Sequence, residues 1–429
     1  MSNSKKFQNK KLLVLGTSVG SVEIVKYAKE NGAYVIVTDY LPSEKSKAKQ
    51  FADETAMIST LDVDALCAFA KEKEVDGVFC GVSEENLHSV YCICNKLGLP
   101  CYFNKNQWDI CQNKSSFKDL CKKFDLPIAN QYSYEDVLKN VEDNGVLKCP
   151  VIVKPVDRSA AIGIHICYTL EEFIKGYSDA IDKSHTKKAL IERYVCGDEF
   201  SAAYTICNGE YKLSIMGDKY LNREQEGFIP LPEAYVYPSK NLNFYTSNYN
   251  DKVINMFKSI GLNNGTVFVQ GIINKNEVVI IEAGLRMGGT ALFRFLENIN
   301  GTNILKLLTD YALTGKMEAD LSLEDPNLKN KRCCLLSMLN KGGVINKIVG
   351  VDEASKINGV VETVVRYQEG ETIIKNGTLK QSHIRFFIVE NTSTKLIDSV
   401  RKIQSLVQVL DANGNNMLLG PFDVSKLDY

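Results

Sequence analysis

Thr266-Val-Phe-Val-Gln270-Gly-Ile-Ile-Asn274-Lys-Asn-Glu277-Val-Val-Ile-Ile-Glu282-Ala-Gly284-Leu-Arg286-Met-Gly288-Gly289 is two apolar runs about an Asn-Lys-Asn turn, the pattern of a β-hairpin. With the turn centred on Asn276, Gln270 falls opposite Glu282, and period-two alternation keeps them on one face under any even register. A carboxylate beside an amide oxygen, with Arg286 and a glycine pair just beyond, is a set able to hold Mg²⁺ and an anionic phosphoryl group together. A half-buried hairpin ending in a salt-bridged acid fits the same residues.

Two neighbouring stretches add weight to the phosphoryl reading. In Pro150-Val-Ile-Val-Lys154-Pro155-Val-Asp-Arg158-Ser159-Ala-Ala-Ile-Gly163 a lysine interrupts a hydrophobic strand just before a loop of small residues. An inward ammonium needs an anion, and nucleotide phosphate capped by loop N–H groups would supply one; an edge-strand lysine facing water is the other reading. Ala189-Leu-Ile-Glu192-Arg193-Tyr194-Val195-Cys-Gly197-Asp-Glu199 runs a strand into a glycine turn with acids on both sides. Such acids can accept from an adenine amino group and from ribose hydroxyls.

Toward the N-terminus, Lys11-Lys-Leu-Leu-Val-Leu-Gly16, a helical pattern to about Asn31 and Tyr34-Val-Ile-Val-Thr-Asp39 form a βαβ opening. Gly77–Gly81 and Pro100–Phe103 are further strand candidates, with helices near Asp64–Lys73 and Asn86–Leu97, so a Rossmann-like parallel-sheet domain fills residues 1–112. Gly16-x-x-x-Gly20 with Asp39 invites a nicotinamide oxidoreductase reading, but the central glycine that lets pyrophosphate approach is missing. Residues 113–315 follow as a second unit with a lid at about 130–200, containing a helix at Ser115–Phe124 and a helical run from Ala291 to Leu313. Residues 316–429 alternate short strands (332–339, 360–367, 383–389) with a helix near 394–405, a small α+β domain.

The 51 Lys+Arg and 52 Asp+Glu residues cancel to a net charge of -1, so no global field draws the chain to nucleic acid or membrane. The polar, basic start and the lack of a long apolar run point to neither signal peptide nor anchor. Thirteen cysteines, an odd number set mostly in apolar segments, suit a reducing cytoplasm; Cys92-x-Cys94 and Cys333-Cys334 make no zinc pattern with the four dispersed histidines.

In their order and spacing, Lys114 before a short helix, the Val-Lys-Pro strand, the Ile-Glu-Arg-Tyr-Val-x-Gly-x-Glu hinge and the Gln…Glu…Arg hairpin closely resemble the ATP-grasp superfamily. Glu282, Arg286 and the Met-Gly-Gly that follows look most like the L-amino acid ligases, and more distantly like D-alanine–D-alanine ligases and biotin carboxylases. The resemblance implies an α/β (in part α+β) ATP-grasp fold and an ADP-forming carboxylate–amine ligase that works through an acyl phosphate on an amino acid or peptide-like molecule. It implies ATP with Mg²⁺ (or Mn²⁺), small-molecule carboxylate and amine partners, and a homodimer by analogy with relatives. By the same resemblance Lys114, Lys154 and the Ser159 loop contact phosphates. Glu192 and the Arg193, Tyr194 and Val195 backbone hold adenine, and Glu199 binds ribose. Glu282 with Gln270 ligates the metal, Arg286 steadies the acyl phosphate, and Lys219 lies near the γ-phosphate.

Three departures stand out: Gln270 where relatives carry an acid, Gly284 where many carry asparagine, and a phosphate loop whose one glycine is Gly163. They keep open a non-catalytic ATP-binding homologue, and a carbamoyl phosphate synthase or purine-pathway type of enzyme is the other alternative.

Overall fold

The computed structural model describes residues 5–158, 162–224, 230–274 and 277–429. The continuous apolar runs near the N-terminus become the three buried strands of a four-stranded parallel sheet ordered Glu54–Ala56, Tyr34–Thr38, Lys11–Leu15, Gly77–Cys80, whose Glu54–Ala56 edge is polar and partly exposed. Its helices are Ser21–Glu30, Val63–Glu72 and Glu84–Leu97, the last two capped by Asp62 and Ser83. The Pro100–Phe103 segment is not a strand; Phe103 instead stacks on Tyr91 and Trp108, with Tyr102 edge-on to Phe103, ahead of the Lys105–Gln112 helix. Asp39 is 3% exposed with both oxygens occupied, Oδ1 by buried Lys49 at 3.0 Å and the Leu41 N–H and Oδ2 by Ser46 Oγ, so it is closed off from a ribose.

A second, antiparallel sheet, ordered Gln131–Tyr132, Ala189–Arg193, Val146–Pro155, His165–Thr169, is backed by the Leu170–Lys183 helix, whose Thr169–Glu172 capping box sets its start. Phe173, Val153, Cys167 and Ile191 form its own small core, which makes it a separate flap.

The central element is an eight-stranded antiparallel sheet: Glu277–Gly284, Gly265–Asn274, Asp198–Cys207, Glu210–Asn222, Leu231–Tyr237, Arg332–Leu339, Ser382–Glu390, Val360–Val365. Five strands precede residue 315 and three follow it, and the seam is the ladder from Ala234↔Leu336 to Tyr237↔Cys333. The helical pattern from Ala291 divides at Gly301, which takes φ 79° and separates Phe293–Asn300 from Ile304–Thr314. These helices join the parallel sheet and the central sheet in one large core, while Ile384, Phe386, Val400 and Phe422 build another around the C-terminal helix Ser393–Leu406.

Candidate functional site

The hairpin closes at Asn274↔Glu277, one step tighter than a turn centred on Asn276. Counting back from there without interruption would set Gln270 opposite Ile281 and turn Glu282 to the other face. A bulge between Gln270 and Gly271 restores the pairing, so Gln270 does lie opposite Glu282. Opposed residues share a face, as do residues two apart on a strand. Gln270 opposes Ser201 and Ile272 opposes Glu199; Glu199 in turn opposes Lys219, and Lys219 opposes Tyr235. Glu282, Gln270, Glu199, Lys219 and Tyr235 therefore stand on one face of the central sheet.

Lys219 Nζ is 2.7 Å from Glu199 Oε2. Burial pulls this ammonium down, but Glu199, Tyr235 and Glu282 outweigh it and hold the pKa above the ordinary lysine value. Glu282 also acts on Lys114 and Lys154, opposing the burial that lowers both. Three ammonium groups thus converge electrostatically on one carboxylate that makes no direct hydrogen bond or ion pair among the described residues.

Lys154 is inward rather than facing water, one of the two readings its place in the strand allows, and is 5% exposed. Its Nζ lies 2.7 Å from Glu192 Oε2, while Lys118 Nζ pairs with Glu192 Oε1. Glu192 is 3% exposed and Lys118 1%, so two buried cations share one buried anion. Burial, then the Lys114 cation, brings Lys154 down to about 8; burial, then the Lys154 cation, brings Lys118 down to about 7. Lys118 has no place in the sequence reading, although the signal is there. Asn113 caps the Lys114–Lys123 helix, and Lys118 stands one turn after Lys114 on the same side. Lys114 itself donates to Pro155 O at 3.3 Å and Arg158 O at 3.1 Å, tying the helix to the base of the flap loop. Ser159 lies outside the described residues.

Along the hinge, the Arg193 and Tyr194 N–H groups are taken by Asn130 O and Pro150 O, while the Val195 N–H makes no hydrogen bond among the described residues. Val195 packs with Ala129, Val279 and Ile272, and the Arg193 guanidinium reaches Glu277 at 3.3 Å. Glu192 and Glu199, the expected adenine and ribose acceptors, are both occupied by lysines, so a nucleotide would have to share them.

Arg286 lies at the end of the hairpin with its guanidinium 4.8 Å from the Phe268 ring centre, Nη1 donating to Met287 O and Nη2 3.6 Å from Glu84 Oε2. Glu84, which begins a helix of the N-terminal domain, is a second residue the sequence does not single out. Gly284 has a packing reason: a Cβ there would come 2.4 Å from the Phe268 ring. Phe268 fills the space a longer side chain would need.

The described residues hold no group of three or more His, Cys, Asp or Glu fit for a metal. Glu282 and Gln270 can supply one charged and one neutral oxygen, a set that suits Mg²⁺ arriving with phosphate oxygens better than the bare ion.

Residues 147–293 match the family model described as the ATP-grasp domain. Dapdiamide A synthase from Enterobacter agglomerans is 21% identical over 52% of this chain and 53% of its own length. The carbamoyl phosphate synthase large chain of Clostridium beijerinckii (strain ATCC 51743 / NCIMB 8052) is 24% identical over 72% of this chain and 30% of its own. The chain thus spans about half or less of these curated relatives. Among solved structures, an L-amino acid ligase from Bacillus licheniformis superposes with a TM-score of 0.75 at 16% identity, covering 94% of this chain and 98% of that one, a likeness of fold.

Proposed function

We propose, from the match of residues 147–293 to the ATP-grasp domain model, that the chain is an ADP-forming carboxylate–amine ligase acting on an amino acid or peptide-like small molecule. The observation that carries this reading is the Glu282 carboxylate, unpartnered among the described residues and within electrostatic reach of Lys114, Lys154 and Lys219. Three cations around one free acid leave room for polyphosphate and a divalent ion, and phosphoryl transfer asks of a protein chiefly alignment and charge.

Lys114 and Lys154 would hold ATP phosphates, Val195 N–H and Glu192 the adenine, and Glu199 the ribose. Glu282 and Gln270 would hold Mg²⁺, which supplies charge neutralisation when bound. Lys219 faces the oxygens of the transferred group. A substrate carboxylate oxygen takes the γ-phosphoryl group, giving an acyl phosphate and ADP. The amine then attacks the acyl carbon and phosphate leaves, with Arg286 donating to the developing negative oxygen. The free cysteines are in keeping with a cytoplasmic setting.

The test is ADP release with Mg²⁺, ATP and pooled amino acids. Glu282→Ala should cut stimulated ADP formation by roughly a hundredfold or more while the melting temperature stays close to that of the parent. Gln270 favours one second reading, an ATP-binding homologue without turnover, because its amide brings no charge to a hard cation. Tight MgATP binding with no substrate-stimulated ADP from any amino acid or peptide would select it.

A further inference from the structure

The catalytic face of the central sheet continues beyond Tyr235. Tyr235 opposes Leu335, Leu335 opposes Phe387, and two residues along the same strands Ser337 opposes Arg385. Arg385 therefore projects from the same face as Glu282 and Lys219, three strands beyond Lys219. Strands lie about 4.8 Å apart, so the two backbones are separated by about 14 Å, a gap that two long side chains narrow to the length of a small substrate.

Arg385 Nη1 donates to Gly289 O and Nε to Ser382 Oγ, each at 3.1 Å. Gly289 ends the segment that carries Glu282 and Arg286, so this guanidinium lies against the loop of the reaction site. Nη2 makes no hydrogen bond, and Arg385 has no carboxylate partner, among the described residues. Arg366, two residues beyond the Val364 that opposes Arg385, likewise has no acid and gives Nη1 to Leu379 O. Arg294 shows the contrast, being neutralised by Glu23 and Glu362 together. Burial first, then the Arg366 cation, pulls Arg385 down to about 10, and Tyr235 links it electrostatically to Lys219, Glu199 and Glu282. A partly buried cation with a free donor and no carboxylate partner among the described residues, with an exposed second cation beside it, fits an anion that arrives from outside.

We propose that Arg385, assisted by Arg366, binds an oxyanion group, carboxylate or phosphate, on a substrate whose reacting group lies between Lys219 and Arg286. The substrate is thus at least doubly functional, with the group that is joined at one end and a second anion at the other. This rests on the ligase reading above and narrows its substrate class.

Two measurements test it. In the presence of MgADP, glutarate or inorganic phosphate should raise the melting temperature of the full chain and give measurable heats of binding. Arg385→Ala should abolish both effects and Arg385→Lys should restore part; which ligand works identifies the anion. In ADP release, L-glutamate against L-glutamine, and O-phospho-L-serine against L-serine, should show at least a tenfold lower KM for the anionic member. Arg385→Ala should bring that ratio to about one. No binding of either oxyanion by the parent chain, or a fall in rate shared equally by charged and neutral substrates, would overturn the proposal. Arg385-dependent oxyanion binding without ADP from any substrate would sink the ligase reading and leave the subsite standing; ADP formed with no preference for anions would do the reverse.

Discussion

Glu192 holds two buried ammonium groups at once, and this arrangement fixes how the site responds to pH. On the proposed reading Lys154 would hold phosphate as a cation, and its pKa in the folded chain is about 8, lowered chiefly by burial. As pH rises from 7 to 9 most of that charge is lost, so MgADP should bind roughly five- to tenfold more weakly at pH 9. Lys154→Arg, which stays charged, should flatten the profile when affinity is followed by titration calorimetry. Lys118 was within reach of the sequence through its spacing from Lys114. Its partnership with Glu192 was not, because nothing local says which strand the helix faces. For the same reason Glu192 and Glu199 were legible as acids on either side of a glycine turn but not as carboxylates already occupied by lysines.

At the scale of elements, the hairpin shows why a pattern can be right for an incomplete reason. Alternation alone does not keep Glu282 opposite Gln270; the bulge at Gln270 and Gly271 does, and a single additional residue in a ladder leaves no mark on the apolar pattern. The hinge depends on a close approach of the same kind. A Cβ on Gly197 would lie 2.4 Å from Ile273 O and 2.6 Å from Ile272 Cγ2. Gly197→Ala should therefore push the hinge off the hairpin, raising the KM for ATP several-fold, with a loss of stability of about 1–3 kcal/mol in urea unfolding. An unchanged KM would mean that the hinge does not shape the nucleotide site.

On the scale of the whole molecule, the central sheet binds the five strands before residue 315 to the three that follow it. A chain ended at 315 would expose the Leu231–Tyr237 edge and strip Ala234 and Val236 of the apolar cluster that covers them. Such a truncation should be insoluble or lack cooperative melting, whereas a self-sufficient domain would give a sharp transition by calorimetry. From the linear sequence alone came the parallel-sheet opening, the order of lysine strand, acidic hinge and metal hairpin, and the expectation of an ATP-grasp fold. All of these are written in short-range periodicity and spacing. Tertiary structure alone decided that Lys118 and Lys154 share Glu192, that Glu84 faces Arg286, and that Arg385 stands on the same sheet face as Glu282 more than a hundred residues earlier. Those contacts depend on strand order, bulges and which face each element buries, and such properties arise from packing between distant segments rather than from any local run of residues.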